Sequence, residues 1–376
     1  MKNIEIIEVK SRAQRHEFVK FPLRLYKKCP QFVPPLYSDE MKMFTDKNAY
    51  ADTCVSVFFL AKQGKKTVGR IQGIIQKQFN ELHGEKRLRF TRFDSIDDVN
   101  VAKSLFEALE NWGKNMGLDT LCGPLGYSDL EREGLLIEGF EYLATFEEQY
   151  NYDYYPKLIE ACGLVKEIDW FEHRLRAPKE KNIMLERVAE RALELSGLHV
   201  VDPDSMSKRD YIEKYKDGVF ECIDLCYSKL YGTVPFTESM KKQIIDQFMM
   251  ILNKKYLVII CDENERVVSF ALCFPSFGKS LQKSGGRLSP IAIIKLLRQV
   301  NKPNVVDLGL VAILPEYQAA GVTAVMLHKM TQYLESGDIE YFETNLNLEN
   351  NVQVLSQWKY FDTERHKIRR SYIKKI

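Results

Sequence analysis

The residues best placed for chemistry lie in 310–327, where a buried strand meets a helix. The apolar strand breaks at Pro315, a short loop follows, and a helical pattern begins at Gly321. The first amides of a helix have no partners within it, and the helix dipole adds to their positive character. Ala319 and Ala320 precede the glycine and let a ligand come close to the backbone. This strand, loop and helix predict a binding site for a pyrophosphate.

Two acids on neighbouring predicted strands are candidates for a general base. Asp307 lies in the apolar strand before the loop, and Glu343 lies in the next predicted strand. A carboxylate is costly to bury unless it is paired, but beside an amine it can take a proton directly or through water. The simpler interpretation is that both acids face solvent, and the sequence leaves both interpretations open.

Residues 126–149 combine many acids with aromatic side chains. This segment predicts either an acidic pocket for an amine or a solvated charged face. Its acids are Asp129, Glu131, Glu133, Glu138, Glu141, Glu147 and Glu148.

The eight cysteines and six histidines show no pattern of a metal site. There is no Cys-x-x-Cys pair, and the histidines form neither a zinc motif nor a recognisable nucleophile triad. Most cysteines lie inside apolar patterns. We therefore expect reduced, packed cysteines in a cytoplasmic protein, and no metal.

Composition narrows the class of protein. The chain has 376 residues, with 54 Lys and Arg against 52 Asp and Glu, which gives a formal charge of +2. A dedicated nucleic-acid binder usually has a strong basic excess, so we expect no DNA partner. No apolar run approaches the roughly 18 residues of a membrane helix, and residues 1–5 carry charges where a leader needs an apolar core. We expect no membrane partner, and the oligomeric state stays open.

The length suits two domains, and the element pattern occurs twice. Each half reads helix, hairpin, strand, helix, strand, helix, strand, with a polar boundary at 176–182. We predict an α/β fold with two domains, residues 1–178 and 179–376. Each is a mixed, mostly antiparallel twisted sheet with flanking helices.

Several local predictions can be compared with the structure. Residues 98–116 should form a helix with Val101, Leu105 and Leu109 on one face, residues 305–313 a strand, and residues 350–358 a helix. A helix should run over 11–19 and end before Phe21-Pro22. Residues 166–175 should form a strand pair. An insertion of roughly 30 residues, 275–304, should contain a helix at 291–300. The basic C-terminal segment should be a solvated strand, unless it contacts an RNA or the 3′-phosphate of coenzyme A.

The loop resembles the cofactor motif of the GNAT superfamily of N-acetyltransferases, Gln/Arg-x-x-Gly-x-Gly/Ala. Gln318 and Gly321 occupy motif positions, whereas Thr323 replaces the final small residue. The resemblance implies that acetyl-CoA or another acyl-CoA binds with its pyrophosphate on the loop amides and its pantetheine along the strand end. The cofactor-binding residues so implied are Val311, Ile313, Gln318, Ala319, Ala320, Gly321, Val322, Thr323 and Asn350.

The last helix region resembles the same family less closely. Asn350 and Phe361 are retained approximately, but Ser356 stands where the family has its general-acid tyrosine. Residues 151–164 of the first half resemble this pattern. The segment of the first half that corresponds to the cofactor loop, residues 93–99, has three aspartates and no glycine. The first half is therefore interpreted as a degenerate GNAT-like domain. The whole chain resembles large, uncharacterised bacterial members of the family.

The resemblance implies an acyl-CoA-dependent N-acyltransferase, with a small-molecule or peptide amine as acceptor. Asp307 or Glu343 would serve as the base. One alternative is a peptidyltransferase-like enzyme that uses aminoacyl-tRNA, which also has two such domains. The other is a non-catalytic GNAT-like binding protein, which the missing tyrosine and Thr323 favour.

Overall fold

The computed structural model describes residues 3–376, and Met1 and Lys2 of the N-terminal segment lie outside the described residues. The strands are β1 (Ile4–Glu8), β2 (Cys54–Gln63), β3 (Lys66–Gln76), β4 (Arg87–Ser95), β5 (Thr120–Gly123), β6 (Leu135–Glu138), β7 (Val165–Arg176), β8 (His199–Val200), β9 (Leu257–Cys261), β10 (Val267–Pro275), β11 (Val305–Ile313), β12 (Tyr341–Thr344), β13 (Asn347–Leu348) and β14 (Asp362–Lys375).

The helices are α1 (Arg12–Leu25), α2 (Tyr37–Lys42), α3 (Lys77–His83), α4 (Val99–Asn115), α5 (Tyr155–Ala161), α6 (Ile183–Ser196), α7 (Lys208–Tyr227), α8 (Glu238–Ile251), α9 (Gly278–Ser284), α10 (Pro290–Asn301), α11 (Val322–Glu335) and α12 (Val352–Leu355). Short 3₁₀ turns cover Pro203–Ser205, Lys254–Tyr256, Pro315–Ala320 and Ser356–Tyr360. Among the described helices, none is long and apolar enough to cross a membrane.

The strands of the described chain join into one 14-stranded sheet. Its order is β1-β2-β3-β4-β5-β14-β7-β12-β11-β10-β9-β8, with β13 beside β7 and β6 beside β14. Pairing is antiparallel except between β4 and β5 and between β11 and β12, which are parallel. The fold is therefore α/β with a mixed, mostly antiparallel sheet, as the sequence predicts.

The last strand of each half pairs with a strand of the other half. β14 pairs with β5 of the first half, where Tyr372 lies opposite Gly123. β7 pairs with β12 of the second half, where Arg174 lies opposite Glu343. β7 and β14 also pair with each other along most of their length. The predicted strand pair within 166–175 is wrong, because this segment is one long strand whose partner comes from the end of the chain.

Helix α1 continues past the point where the sequence predicts its end. Ser11 caps it as expected, accepting a hydrogen bond from the amide of Gln14. Pro22 lies inside the helix, and its missing N–H leaves the Phe18 carbonyl without a helical partner. The Arg70 guanidinium donates to that carbonyl at 3.0 Å. The helix therefore passes through the proline because a side chain from β3 replaces the lost hydrogen bond.

Helix α4 is the best-predicted packing element. Asp98 caps it, and Val101, Leu105 and Leu109 are all fully buried, on the face that the sequence pattern indicates. This helix packs against β2 and β3 of the first half. Its hydrophobic spacing alone was enough to identify that face.

Other local predictions are only partly right. The insertion holds the expected helix as α10, but also α9, which the pattern does not reveal. The helix expected over 350–358 is reduced to α12 and a 3₁₀ turn. Helices α2, α3 and α6 were not predicted. The first two are short, and the third follows directly after the polar boundary.

Candidate active site

Part of one strand in the second half has an edge that pairs with no strand of the described chain. β11 pairs with β12 only from Val305 to Leu308, because β12 ends at Thr344. From there to Ile313, β11 is paired with β10 on one side and faces no strand on the other. Val311 is 41% exposed at this edge. Backbone groups in such an edge can hydrogen bond with an extended ligand.

Side chains of α7 cover part of that edge. The Tyr227 hydroxyl donates to the Val311 carbonyl at 2.8 Å and accepts from the Val311 amide at 3.1 Å. The Cys226 thiol lies 3.3 Å from the Ile313 carbonyl. The two backbone groups of Val311 are thus satisfied by one phenol, which a ligand pairing along this edge has to displace.

The loop after β11 leads through a 3₁₀ turn and a glycine directly into α11. Pro315–Ala320 forms a 3₁₀ turn, and Gly321, at a φ of +77°, stands directly before α11. A β-carbon at this position would lie 2.9 Å from the Cβ of Ala192 in α6, so both the backbone and the packing favour glycine. No side chain caps α11. Its first amides are therefore the groups available to an anion at this end.

The structure brings most of the expected cofactor-binding residues together. Gln318 donates to the Ile313 carbonyl at 3.3 Å, which ties the loop to the strand end. Ala319 is exposed, whereas the side chain of Val322 is fully buried, so Val322 can meet a ligand only through its backbone. Ala320 and Thr323 are half-buried on either side of Gly321.

Asn350 lies apart from this loop in the fold. It is exposed in the turn after β13, a strand that pairs with β7. Its neighbour Asn351 caps α12 by accepting from the amide of Val354. The assignment of Asn350 to the cofactor site therefore rests only on the family resemblance of the sequence.

Asp307 is buried at the inner end of the same strand. Its Oδ1 has no hydrogen-bond partner among the described residues. Burial raises its pKa well above the ordinary value, and the charges of Glu343 and Glu147 raise it further. A β-bulge separates it from Val311 in this strand, so Asp307 lies opposite Phe274 and Val311 opposite Ala271, on the two different faces of the sheet. A buried carboxyl with a free oxygen and a raised pKa is suited to accept a proton.

Glu343 stands in a different environment. Burial alone would raise its pKa, but the Lys367 ammonium and the His366 ring lower it to about 2. Lys367 donates to both Glu343 and Glu172, and Arg369 also donates to Glu172. Glu172, Glu343 and His366 offer metal-ligand atoms close to one another, but Lys367 already supplies a cation there. This network indicates a structural role for Glu343.

The same network corrects the interpretation of the C-terminal segment as a solvated strand. Lys367 and Arg369 are buried because β14 is a central strand of the joined sheet. Neither side chain is free to contact a coenzyme A phosphate or an RNA. Among the basic residues of β14, Arg365 and Lys375 are exposed, near the two ends of the strand.

The acidic segment 126–149 of the first half folds inward against the second half. Burial raises the pKa of Glu148 to about 8 and that of Glu147 to about 7. Asn345, just beyond β12, donates to Glu147 at 3.1 Å. Burial also raises the pKa of Asp129 to about 6. The segment is thus divided: Glu133, Glu147 and Glu148 are poorly solvated, as the pocket interpretation expects, whereas Glu138 and Glu141 are exposed, as the solvated-face interpretation expects.

A cavity of about 100 Å³ opens where Asp129 meets the end of α7. Its acids are Asp129 and Asp224, its hydroxyls are those of Tyr227, Ser228 and Thr233, and the rest of its wall is apolar. The sequence did not single out Tyr227 or Asp224, since a tyrosine at a helix end and an acid on an exposed face are common. The remaining lining residues are Leu82, Ile223, Val234, Pro235 and Phe236.

Two curated proteins resemble the chain over most of its length. Protein YghO of Escherichia coli (strain K12) is 25% identical over 371 residues, which cover 96% of this chain and 92% of that protein. The bacterial ceramide synthase of Caulobacter vibrioides (strain NA1000 / CB15N) is 26% identical over 298 residues, covering 78% of this chain and 76% of that protein. No protein-family model matches the chain.

Solved structures resemble the fold across both halves. A tandem GNAT protein from the clavulanic acid biosynthesis pathway has a TM-score of 0.55 at 11% identity, covering 99% of this chain and 98% of that one. The glucosamine N-acetyltransferase region of a fungal multi-domain β-N-acetylglucosaminidase has a TM-score of 0.57 at 9% identity, covering all of this chain and 38% of that one. A GCN5-related N-acetyltransferase from Sphaerobacter thermophilus has a TM-score of 0.50 at 8% identity, covering 98% and 95%. The chain therefore has the fold of the tandem GNAT proteins.

Proposed function

We propose that this protein is an acyl-CoA-dependent N-acyltransferase whose single working site lies in the second half. The observation that carries the proposal is the edge of β11 that has no strand neighbour and is covered in part by Tyr227, between two features of one strand-loop-helix unit. The Gly321 turn and the start of α11 follow the edge, and buried Asp307 precedes it. An acyl-CoA would place its pyrophosphate at the turn and its pantetheine along Val311 and Ile313.

The acceptor is proposed to be a primary amine that enters beside the acidic segment. Asp129 and Asp224 attract a cationic amine to the cavity, and its apolar wall accepts a hydrocarbon portion. The bound ammonium first loses one proton to solvent, and the neutral amine then attacks the thioester carbonyl, forming the C–N bond as the C–S bond breaks. The Asp307 carboxylate takes the second proton from the nitrogen, directly or through water, and the coenzyme leaves as its thiolate. Orientation of the two substrates supplies much of the rate.

The ceramide synthase relative favours a lipid-like acceptor. Ceramide is the N-acyl derivative of a long-chain amino alcohol, so its synthesis is N-acyl transfer to an amine. The apolar wall of the cavity, with Ile223, Val234 and Phe236, is compatible with such an acceptor. We therefore propose a long-chain amino alcohol as the preferred acceptor class, with a fatty acyl-CoA as donor.

Calorimetric titration with acetyl-CoA and octanoyl-CoA tests the donor site. Gly321→Glu turns a side chain toward Ala192 of α6 and so displaces the turn and its amides, which should abolish binding in a variant that still shows a cooperative unfolding transition. Gly337→Glu is the matched control, because Gly337 also has a positive φ, lies just beyond the other end of α11, and has open space around it. Loss of binding in both variants, or no binding by the unaltered protein, contradicts the donor site.

Product analysis by mass spectrometry tests the acceptor. The protein is incubated with octanoyl-CoA and a long-chain amino alcohol, a short amino alcohol or a polyamine. An N-acyl product formed best from the long-chain amino alcohol supports the proposed class. Acyl-CoA binding without any N-acyl product would favour a non-catalytic binding protein.

A further inference from the structure

The insertion between β10 and β11 has a charge unlike that of the rest of the chain. From 276 to 304 it contains no aspartate or glutamate, although acids and bases are nearly balanced in the whole sequence. Its cations are Lys279, Lys283, Arg287, Lys295, Arg298 and Lys302. Neither the fold of the second half nor the proposed chemistry requires this segment to be basic.

Helix α10 of the insertion turns large apolar side chains toward solvent. Ile291, Ile294 and Leu297 are 68%, 52% and 41% exposed. They recur every three residues and therefore share one broad face of the helix. Lys295 and Arg298 are exposed among them.

The opposite face of α10 makes the ordinary core contacts. Ala292, Leu296 and Val300 are buried there. The exposed face is thus a second apolar surface on an already packed helix. Large apolar side chains are also exposed on α6, but on α10 they stand among exposed cations in a segment without acids, and this combination distinguishes the α10 face.

The helix is held firmly against the body of the protein. In the preceding α9, Gln282 donates to the carbonyls of Pro30 and Phe32 at 2.7 and 2.9 Å. Phe277, just before α9, packs against Phe146 with ring centroids 4.7 Å apart. The insertion is therefore anchored on the first half, and the exposed face of α10 has a fixed direction.

We propose that α10 docks this protein on the surface of an anionic lipid bilayer. The occupant of this face must accept apolar side chains and also supply negative charge, and a bilayer with anionic headgroups does both. A second copy of the chain would bring Lys295 and Arg298 against the same cations, which opposes self-association through this face. The proposal departs from the sequence-based expectation of no membrane partner, which rested on the lack of a spanning segment.

Flotation with lipid vesicles tests the proposal on the full chain. Vesicles are made of phosphatidylcholine alone or of phosphatidylcholine and phosphatidylglycerol in a two-to-one mixture. The protein should float with the mixed vesicles, bind the neutral ones at least about tenfold less, and be released by added salt. Failure to float with the mixed vesicles overturns the proposal.

Two variants separate the apolar and electrostatic contributions. The combined change Ile291→Ser, Ile294→Ser and Leu297→Ser should reduce binding of the protein to the mixed vesicles at least about tenfold. Lys295→Glu with Arg298→Glu should reduce it about 30-fold or more, and only on anionic vesicles. Because all five side chains are exposed, both variants should keep the unfolding temperature of the parent protein, and either one suffices if the other fails to fold.

A matched control uses the apolar residues exposed on α6. Met184 and Leu195 are 69% and 75% exposed, but no basic cluster like that of the insertion surrounds them in the sequence. Met184→Ser with Leu195→Ser should leave vesicle binding unchanged. If the α6 control loses as much vesicle binding as the α10 variants, the proposal is overturned. So does sedimentation analysis in which the unaltered protein is a dimer that the triple-serine variant converts to monomers.

Discussion

Asp307 and Glu343 lie directly opposite each other on the parallel strands β11 and β12, yet their carboxyl groups have opposite surroundings. Glu343 is bonded to Lys367 and His366, whereas Asp307 has an oxygen without a partner. The charge of Glu343 is one of the causes that raise the pKa of Asp307. The charge of Glu343 thus makes the Asp307 carboxylate the stronger proton acceptor of the two, and Asp307 is the acid that the proposed mechanism uses as base.

Substitution of these two acids should have contrasting effects. Asp307→Asn removes the proposed base and should lower kcat by at least about 100-fold, with little loss of stability. Glu343→Gln leaves the buried ammonium of Lys367 partly unpaired and should cost about 3 kcal/mol of unfolding free energy. Product formation from octanoyl-CoA and urea unfolding measure the two effects. An Asp307→Asn enzyme of unchanged kcat would remove Asp307 from the mechanism.

Tyr227 should compete with acyl-CoA for the edge of β11. Because its hydroxyl occupies the amide and carbonyl of Val311, Tyr227→Phe should tighten acyl-CoA binding about fivefold, the worth of roughly one hydrogen bond. Tyr231→Phe is the control, since that hydroxyl is bonded to Glu167 and Ser371 instead. Calorimetry gives both affinities. Weaker binding in Tyr227→Phe would mean that the phenol contacts the ligand.

The predicted boundary near residue 178 can be tested by cutting the chain there. A fragment of residues 1–178 lacks β14, so β5 would lose its neighbour and expose an unpaired edge. A fragment of residues 179–376 lacks β7, the partner of β14 and β12. Each fragment alone should be largely unfolded or aggregated by circular dichroism and size-exclusion chromatography.

Co-expression of the two fragments should restore a folded complex. Each fragment then regains the strand that the other supplies. A fragment of residues 1–178 that folds alone, with a cooperative melting transition, would show that β7 can take the place of β14 beside β5. In that case the shared strands would not be essential to either half.

The sequence was most informative where local patterns decide the structure. The helix face of Val101, Leu105 and Leu109 follows from spacing alone, and the strand at Val305–Ile313 agrees residue for residue. The Gly321 turn was identified from its small residues and its position before a helix. These features depend on neighbours in the chain and so can be read from one sequence.

The sequence was least informative where distant segments meet. Nothing near Pro22 indicates that Arg70 will satisfy the Phe18 carbonyl. The burial of Lys367 and Arg369 depends on the place of β14 between β5 and β7, which no local pattern encodes. For the same reason, Tyr227 could not be assigned to the edge of β11 from its own surroundings in the sequence.

The hydrogen bond from Arg70 to α1 should be measurable in a double-mutant cycle. Arg70→Lys keeps a cation near Asp94 but loses the reach to the Phe18 carbonyl, and should cost about 2 kcal/mol. Pro22→Ala provides an amide that can bond this carbonyl within the helix. In the Arg70→Lys background, Pro22→Ala should therefore recover about 1 kcal/mol of unfolding free energy, which is more than the same substitution adds to the parent protein. Additive urea-unfolding energies would contradict the coupling.

Glu148 and Glu172 both lie beside Arg369, but their pKa values shift in opposite directions. Burial raises the pKa of Glu148 to about 8, whereas Lys367 and Arg369 outweigh burial and lower the pKa of Glu172. Because the pKa of Glu148 is raised, the folded protein keeps a proton on this carboxyl that the unfolded chain loses near pH 4.5. Glu148 therefore lowers the free energy of unfolding progressively as the pH rises from about 4.5 to about 8. A lowered pKa contributes stability above pH 4.5 that is lost as the pH falls further.

Replacing each acid by glutamine should therefore change the pH dependence with opposite sign. Glu148→Gln should be more stable than the parent at pH 8 and nearly equal to it at pH 5, because the neutral amide removes the cost of a buried charge. Glu172→Gln should be less stable than the parent at both values, since Lys367 and Arg369 lose their shared partner. Urea unfolding across this range measures both. If Glu148→Gln instead loses stability most strongly at pH 8, the carboxylate is ionised in the fold and its attraction to Arg369 outweighs burial.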